Sequence, residues 1–140
     1  MFKSLFRTLA TISLFVCLGT AAAQAQQTQP APVQPSPIKR TILQRTDVPG
    51  TNLELIYATV EIAPSFKAGR HSHPGVVMAQ VVEGEFWLAP DGQPEKVYKA
   101  GESLTLPDRA IHNEGAGDKG VKVNAVYVVE KGQPLASPAQ

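Results

Sequence analysis

No stretch between Ile38 and Gln133 carries a sustained helical stripe, whereas short β-branched and apolar runs recur between turn residues. A chain patterned this way buries its side chains with a period of two, which restricts it to sheets packed on one another or closed on themselves. The runs are Lys39–Gln44, Leu53–Ala63, Gly69–His73, Val76–Val82, Glu85–Ala89, Lys96–Tyr98, Ser103–Leu106, Ile111–Glu114 and Val121–Glu130. Pro49-Gly50, Pro74-Gly75, Asp91-Gly92 and Gly115-Ala116-Gly117 punctuate them. In the second run Ile56, Ala58, Val60 and Ile62 alternate with Leu55, Tyr57, Thr59 and Glu61, the pattern of a wall between core and solvent. Val76 to Val82 is almost continuously apolar and reads as a central strand covered on both faces, turned by Glu83-Gly84-Glu85 into the next strand.

The termini read differently. Lys3 and Arg7, the apolar stretch Ile12 to Leu18 and the small-x-small site Ala23-Gln24-Ala25 predict a cleaved signal peptide over residues 1–25. An uncleaved anchor is the alternative, but the apolar stretch is too short to span a bilayer. Export to the periplasm or the medium follows, with no stable membrane anchor. Residues 26–37 are rich in Gln and Pro and lack the apolar groups that offset chain ordering, so they read as a mobile linker. The barrel domain is placed at 38–133 and a flexible tail at 134–140. The lone Cys17 lies in the predicted signal, which leaves the mature chain no disulfide and no thiolate ligand. Without Lys3 and Arg7 the mature chain is close to charge balance, which gives no electrostatic reason to expect nucleic acid as a partner.

All three histidines fall at two places, in Gly69-Arg70-His71-Ser72-His73-Pro74-Gly75 and in Pro107-Asp108-Arg109-Ala110-Ile111-His112-Asn113. Residues two apart on a strand share a face, so His71 and His73 point the same way and His112 can join them from a neighbouring strand. Three neutral imidazoles converging in a barrel suit a transition metal; the competing reading is a buried, hydrogen-bonded structural set. No Ser-His-Asp arrangement, phosphate-binding glycine loop or zinc-binding cysteine pair competes with them.

At these residues the domain resembles the cupin superfamily of double-stranded β-helix (jelly-roll) barrels. The family motif G-x5-H-x-H-x3,4-E-x6-G falls on Ser65, His71, His73, Val77 and Gly84, and G-x5-P-x-G-x2-H-x3-N falls on Gly101, Pro107, Arg109, His112 and Ala116. The resemblance spans about Thr41 to Leu135. It implies an all-β barrel and a single divalent metal, with His71, His73 and His112 carried over as ligands. The motif glutamate does not carry over, because Val77 stands there between Val76 and Met78. The expected centre thus has three neutral nitrogens and no carboxylate, as zinc has in carbonic anhydrase. Some family dioxygenases with three histidines take substrates that chelate iron as anions, so the resemblance leaves an oxygenase open.

Two functions stand against each other: a metal-dependent dioxygenase or related enzyme acting on a small chelating anionic metabolite, and a non-catalytic ligand-binding or structural barrel with a degenerate metal site. Iron, manganese, zinc, nickel and copper are not distinguished. Arg109, at a motif glycine, must give the turn before His112 another backbone or bear strain; Arg109 or Arg70 could pair with an anionic ligand, or simply be solvated. Gln80 is expected to line the cavity or bond within the core, and Asn113 to orient His112. Tyr127, Tyr57, Phe86 and Trp87 read as wall packing. Sheet edges of such barrels often pair between subunits, which makes a homodimer an expectation.

Overall fold

The computed structural model describes residues 36–139, and every regular element among them is a β-strand. The predicted signal peptide, and all of the predicted linker except Ser36 and Pro37, lie outside the described residues. The strands are β1 (Ile38–Asp47), β2 (Leu53–Ile62), β3 (His71–Ser72), β4 (Gly75–Pro90), β5 (Lys96–Lys99), β6 (Ser103–Leu106), β7 (His112–Glu130) and β8 (Ser137–Pro138).

Two long strands, β4 and β7, organise the barrel. They pair antiparallel over most of their lengths, from Gly75↔Val129 to Pro90↔His112, with irregularities between Val81 and Glu83 and between Gly84 and Phe86. Each strand therefore bends and serves two leaves of one continuous sheet. In the first leaf the order is β1, β2, the second half of β7, the first half of β4, then β6. In the second leaf it is β8, β3, the first half of β7, the second half of β4, then β5. The core lies between the leaves and includes Ile56, Ala58, Val60 and Ile62 from β2, Val77 and Val81 from β4, and Val121, Val123, Ala125, Tyr127 and Val129 from β7. Ile56 and Val129 are wholly buried, and truncating either to Ala removes about 2 to 4 kcal/mol.

Glycines make the bend. Gly84 has φ +80°, and a Cβ there would lie 2.2 Å from the Gly120 carbonyl oxygen. Gly120, on the facing strand, has φ +79°. Only glycine takes this conformation without cost and lets two backbones approach so closely.

Three expectations are corrected and a fourth is met. Glu83-Gly84-Glu85 and Gly115-Ala116-Gly117 do not end strands; they lie inside β4 and β7, because the chain bends there without leaving the sheet. The stretch Val76 to Val82 is not covered on both faces: Val77 and Val81 are buried, while Val76, Met78 and Val82 are 37%, 49% and 38% exposed on the outer face. Residues from Pro134 onward do not form an unpaired tail, since β8 pairs with β3 through His71↔Pro138 and Ser72↔Ser137. The strain foreseen at Arg109 is borne: its φ is +56°, and Ser65, at the other replaced motif glycine, has φ +55°. These are the only non-glycine residues with positive φ among the described residues.

Candidate metal centre

Strand pairing assembles the site. His71 on β3 lies opposite His112 at the start of β7, and His73 follows two residues after His71. The ring centroids lie 5.1 Å apart for His71 and His73, 4.3 Å for His71 and His112, and 5.2 Å for His73 and His112. All three rings are buried, His112 completely.

The expectation of a site without a carboxylate is overturned. Glu114 joins the histidines, and the four ligand atoms lie within 4.8 Å of one another. Its Oε2 is 3.5 Å from His112 Nε2, and its Oε1 is 3.8 Å from His71 Nε2. Glu114 enters by the period-two rule that joins His71 to His73: on β7, His112 and Glu114 share a face. The signal was therefore present as His112-Asn113-Glu114, hidden by counting only from the family motif. Val77 and Glu114 line the same small interior cavity, so the carboxylate reaches the histidines from another strand than the motif predicts.

The imidazoles are oriented as ligands. Nδ1 of His71 donates to the Gly69 carbonyl at 2.8 Å, Nδ1 of His112 to the Ala110 carbonyl at 2.9 Å, and Nδ1 of His73 to the Leu135 carbonyl. A carbonyl oxygen only accepts, so each neutral ring carries its proton on Nδ1 and keeps the Nε2 lone pair free. Nε2 of His112 is buried and has no hydrogen-bond partner, the only such side-chain atom among the described residues. A buried nitrogen without a partner loses hydration without replacement, and a cation bound between it and Glu114 would satisfy it.

The charges agree with this reading. Burial pushes the Glu114 carboxyl toward its neutral form, but His112 and the charges of His71 and His73 outweigh this and hold its pKa below the ordinary value. Burial likewise opposes protonation of His112, yet Glu114 and the Ala110 carbonyl raise its pKa. At 3.5 Å, His112 Nε2 and the Glu114 carboxylate interact through charge proximity and not through an aligned hydrogen bond. For His73 burial is the largest influence and lowers its pKa to about 4. The residues thus offer one carboxylate and three imidazole nitrogens, a donor set that fits a divalent first-row ion.

The remaining candidates lie around this centre. Asn113 Oδ1 accepts from the backbone N–H of Gly69 at 3.0 Å and of Glu114 at 2.9 Å, which ties both ligand segments together. Gln80 is exposed on the outer face of β4, where its amide reaches the Gly101 carbonyl at 3.4 Å; it lines an outer groove with Tyr57 and not the interior cavity beside the histidines. Arg109 is exposed and paired with Glu130 and Asp108, while its backbone N–H donates to the His73 carbonyl at 3.1 Å. Arg70 pairs with Asp91. Phe86 is in the core, Trp87 packs over Gly115, and Tyr57 faces an outer groove. Tyr127 does more than fill the wall: its ring stands edge-on 5.8 Å from His73, and its hydroxyl accepts from Arg40 Nε at 3.3 Å. The interior beside His73, Glu114 and Tyr127 leaves about 30 Å³, the rest of its lining being apolar.

No protein-family model matches the chain, and no curated protein matches it. Solved structures do. A cupin superfamily protein from Desulfitobacterium hafniense aligns with TM-score 0.56 and 16% identity over 74% of this chain and 94% of that one. A conserved protein with a double-stranded β-helix domain from Klebsiella pneumoniae aligns with TM-score 0.59 and 16% identity over 80% and 90%. The DMSP lyase DddQ from Ruegeria pomeroyi aligns with TM-score 0.56 and 15% identity, over 61% of this chain but 43% of that one. With the two-leaf topology these likenesses define the class: the chain has the cupin double-stranded β-helix fold. Within that fold it carries a His71, His73, His112 and Glu114 cluster that could hold a metal ion.

Proposed function

We propose that this chain is a divalent-metal protein whose ion is held by Nε2 of His71, His73 and His112 and by the Glu114 carboxylate. The observation that carries the proposal is the buried, unpartnered Nε2 of His112 facing Glu114, with all three Nδ1 atoms already committed to carbonyl oxygens. Glu114 cancels one of the ion's charges, so a bound substrate need supply less negative charge than at an all-nitrogen centre. It also supplies the oxygen donor that manganese and ferrous iron favour.

The finer reading is a metal-dependent dioxygenase or related enzyme acting on a small chelating anionic metabolite. The ion would supply Lewis-acid or redox chemistry; Glu114 and the histidines would hold it, and neutral Tyr127, its pKa raised by burial, offers a hydroxyl proton at the cavity wall. The named lyase among the structural neighbours supports metabolite chemistry on this barrel, and fold alone does not select the reaction. One observation favours a second reading, a barrel that binds metal or a small ligand without turnover: about 30 Å³ accommodates a guest of roughly water size unless side chains move. Export and a homodimer remain parts of the proposal, checked by N-terminal sequencing of the mature protein and by light scattering.

Elemental analysis of protein taken from its own compartment, followed by calorimetric titration of the stripped protein, tests the metal. Near one equivalent of a first-row ion is expected, and His112→Ala should abolish it. Less than about a tenth of an equivalent, with none regained on titration, would sink the reading. Turnover of chelating organic acids by the loaded protein, against ligand binding without turnover, separates the two finer readings.

A further inference from the structure

We infer that the segment Leu135–Ala139 is a strap that sets the ligand orientation of His73, with the Leu135 carbonyl as its positioning group. This rests on the metal reading above and deepens it. His71 and His112 are oriented by carbonyls two residues upstream, Gly69 and Ala110, so their own strands fix them. His73 differs. Its Nδ1 donates to a carbonyl 62 residues away in sequence, on a different element.

The strap is built to deliver that carbonyl. Leu135 is half-buried and packs against the core. Beyond it Ser137 and Pro138 pair with Ser72 and His71, and the Ala139 N–H donates to the Arg70 carbonyl at 3.0 Å. Strand β3 has two residues, and its pairing with β7 is the single register His71↔His112. The strap covers its other edge. The backbone around His73 has anchors of its own, since the His73 carbonyl accepts from Arg109 N–H and the Pro74 carbonyl from Glu130 N–H at 2.9 Å. Losing the strap therefore leaves the loop in place and frees the ring. A freed imidazole rotates and exchanges tautomers, so it offers Nε2 for part of the time only.

The test compares the full chain, a chain ending at Gln133, and a full chain in which Ala136 is replaced by its α-hydroxy counterpart. That last exchange makes the Leu135 carbonyl an ester and a weaker acceptor without removing a side chain. Nitrogen NMR of the metal-free proteins should show His73 as the Nδ1-protonated tautomer in the full chain and as a mixture in the shortened one, with His71 and His112 unchanged. Cobalt(II) affinity should fall about 10- to 100-fold in the shortened chain and by a smaller factor in the ester. Unchanged His73 tautomer and affinity in both variants overturn the strap. Should the shortened chain fail to fold, the ester variant decides alone. Should the full chain bind no cobalt, the metal reading fails while the tautomer comparison still decides the strap.

Discussion

Glu114 turns a three-nitrogen set into a mixed one, and its removal is the sharpest probe of the centre. Glu114→Gln keeps the shape and removes the charge; zinc or manganese affinity should drop at least about tenfold, with the protein still folded, as calorimetry would read. Val77→Glu, which restores the motif residue, should do the opposite of repair. A second carboxylate lining the same small cavity as Glu114 adds like-charge repulsion, so the metal-free variant should melt well below the parent. At Arg109 the left-handed backbone predicts a gain: Arg109→Gly should stabilise by about 0.5 to 1 kcal/mol in urea unfolding, because the strain relieved exceeds the worth of exposed ion pairs to Glu130 and Asp108. His73 gives a pH dependence. Its folded pKa, about 4, lies below its ordinary 6.5, so the unfolded chain takes up its proton first as pH falls. The stability it contributes is complete above 6.5 and lost on the way down to about 4. The loss is on the order of 3 kcal/mol, and His73→Gln should flatten that part of the metal-free stability profile.

At the scale of elements, the bend at Gly84 and Gly120 is where the fold is least tolerant. Gly84→Ala would press a methyl into the Gly120 carbonyl on a left-handed backbone and should cost about 3 kcal/mol or more, or prevent folding, as thermal unfolding would show. The same bend explains what sequence alone could and could not tell. The period-two runs were legible because alternation is local: Ile56 to Ile62 point inward as their pattern requires. Glycine clusters look alike whether they end a strand or fold it across to another leaf, so β4 and β7 each read as two strands. Val76 and Met78 misled because apolar side chains also occupy outer faces. The three histidines stood at motif spacing, whereas Glu114, on the same face as His112 within the run Ile111–Glu114, was passed over because the motif puts its carboxylate at Val77. Leu135 left no trace at all, since a carbonyl contact across 62 residues has no side-chain signature.

For the molecule as a whole, binding and folding should be linked. An ion that binds only the native barrel adds about 2.7 kcal/mol at a hundredfold excess over Kd, so the melting temperature should climb with free metal and return on chelation. A melting curve indifferent to metal would contradict a centre built into the junction of β3 and β7. The enclosure of that centre has a further consequence, one of time rather than affinity. The rings of His71, His73 and His112 are sealed from solvent almost completely. An ion there must shed its water to enter and regain it to leave, with no open path for a competitor to attack the ligands stepwise. Exchange should then be slow compared with binding in an open cleft, and the metal found in the barrel would record which ion the chain met while its site was closing.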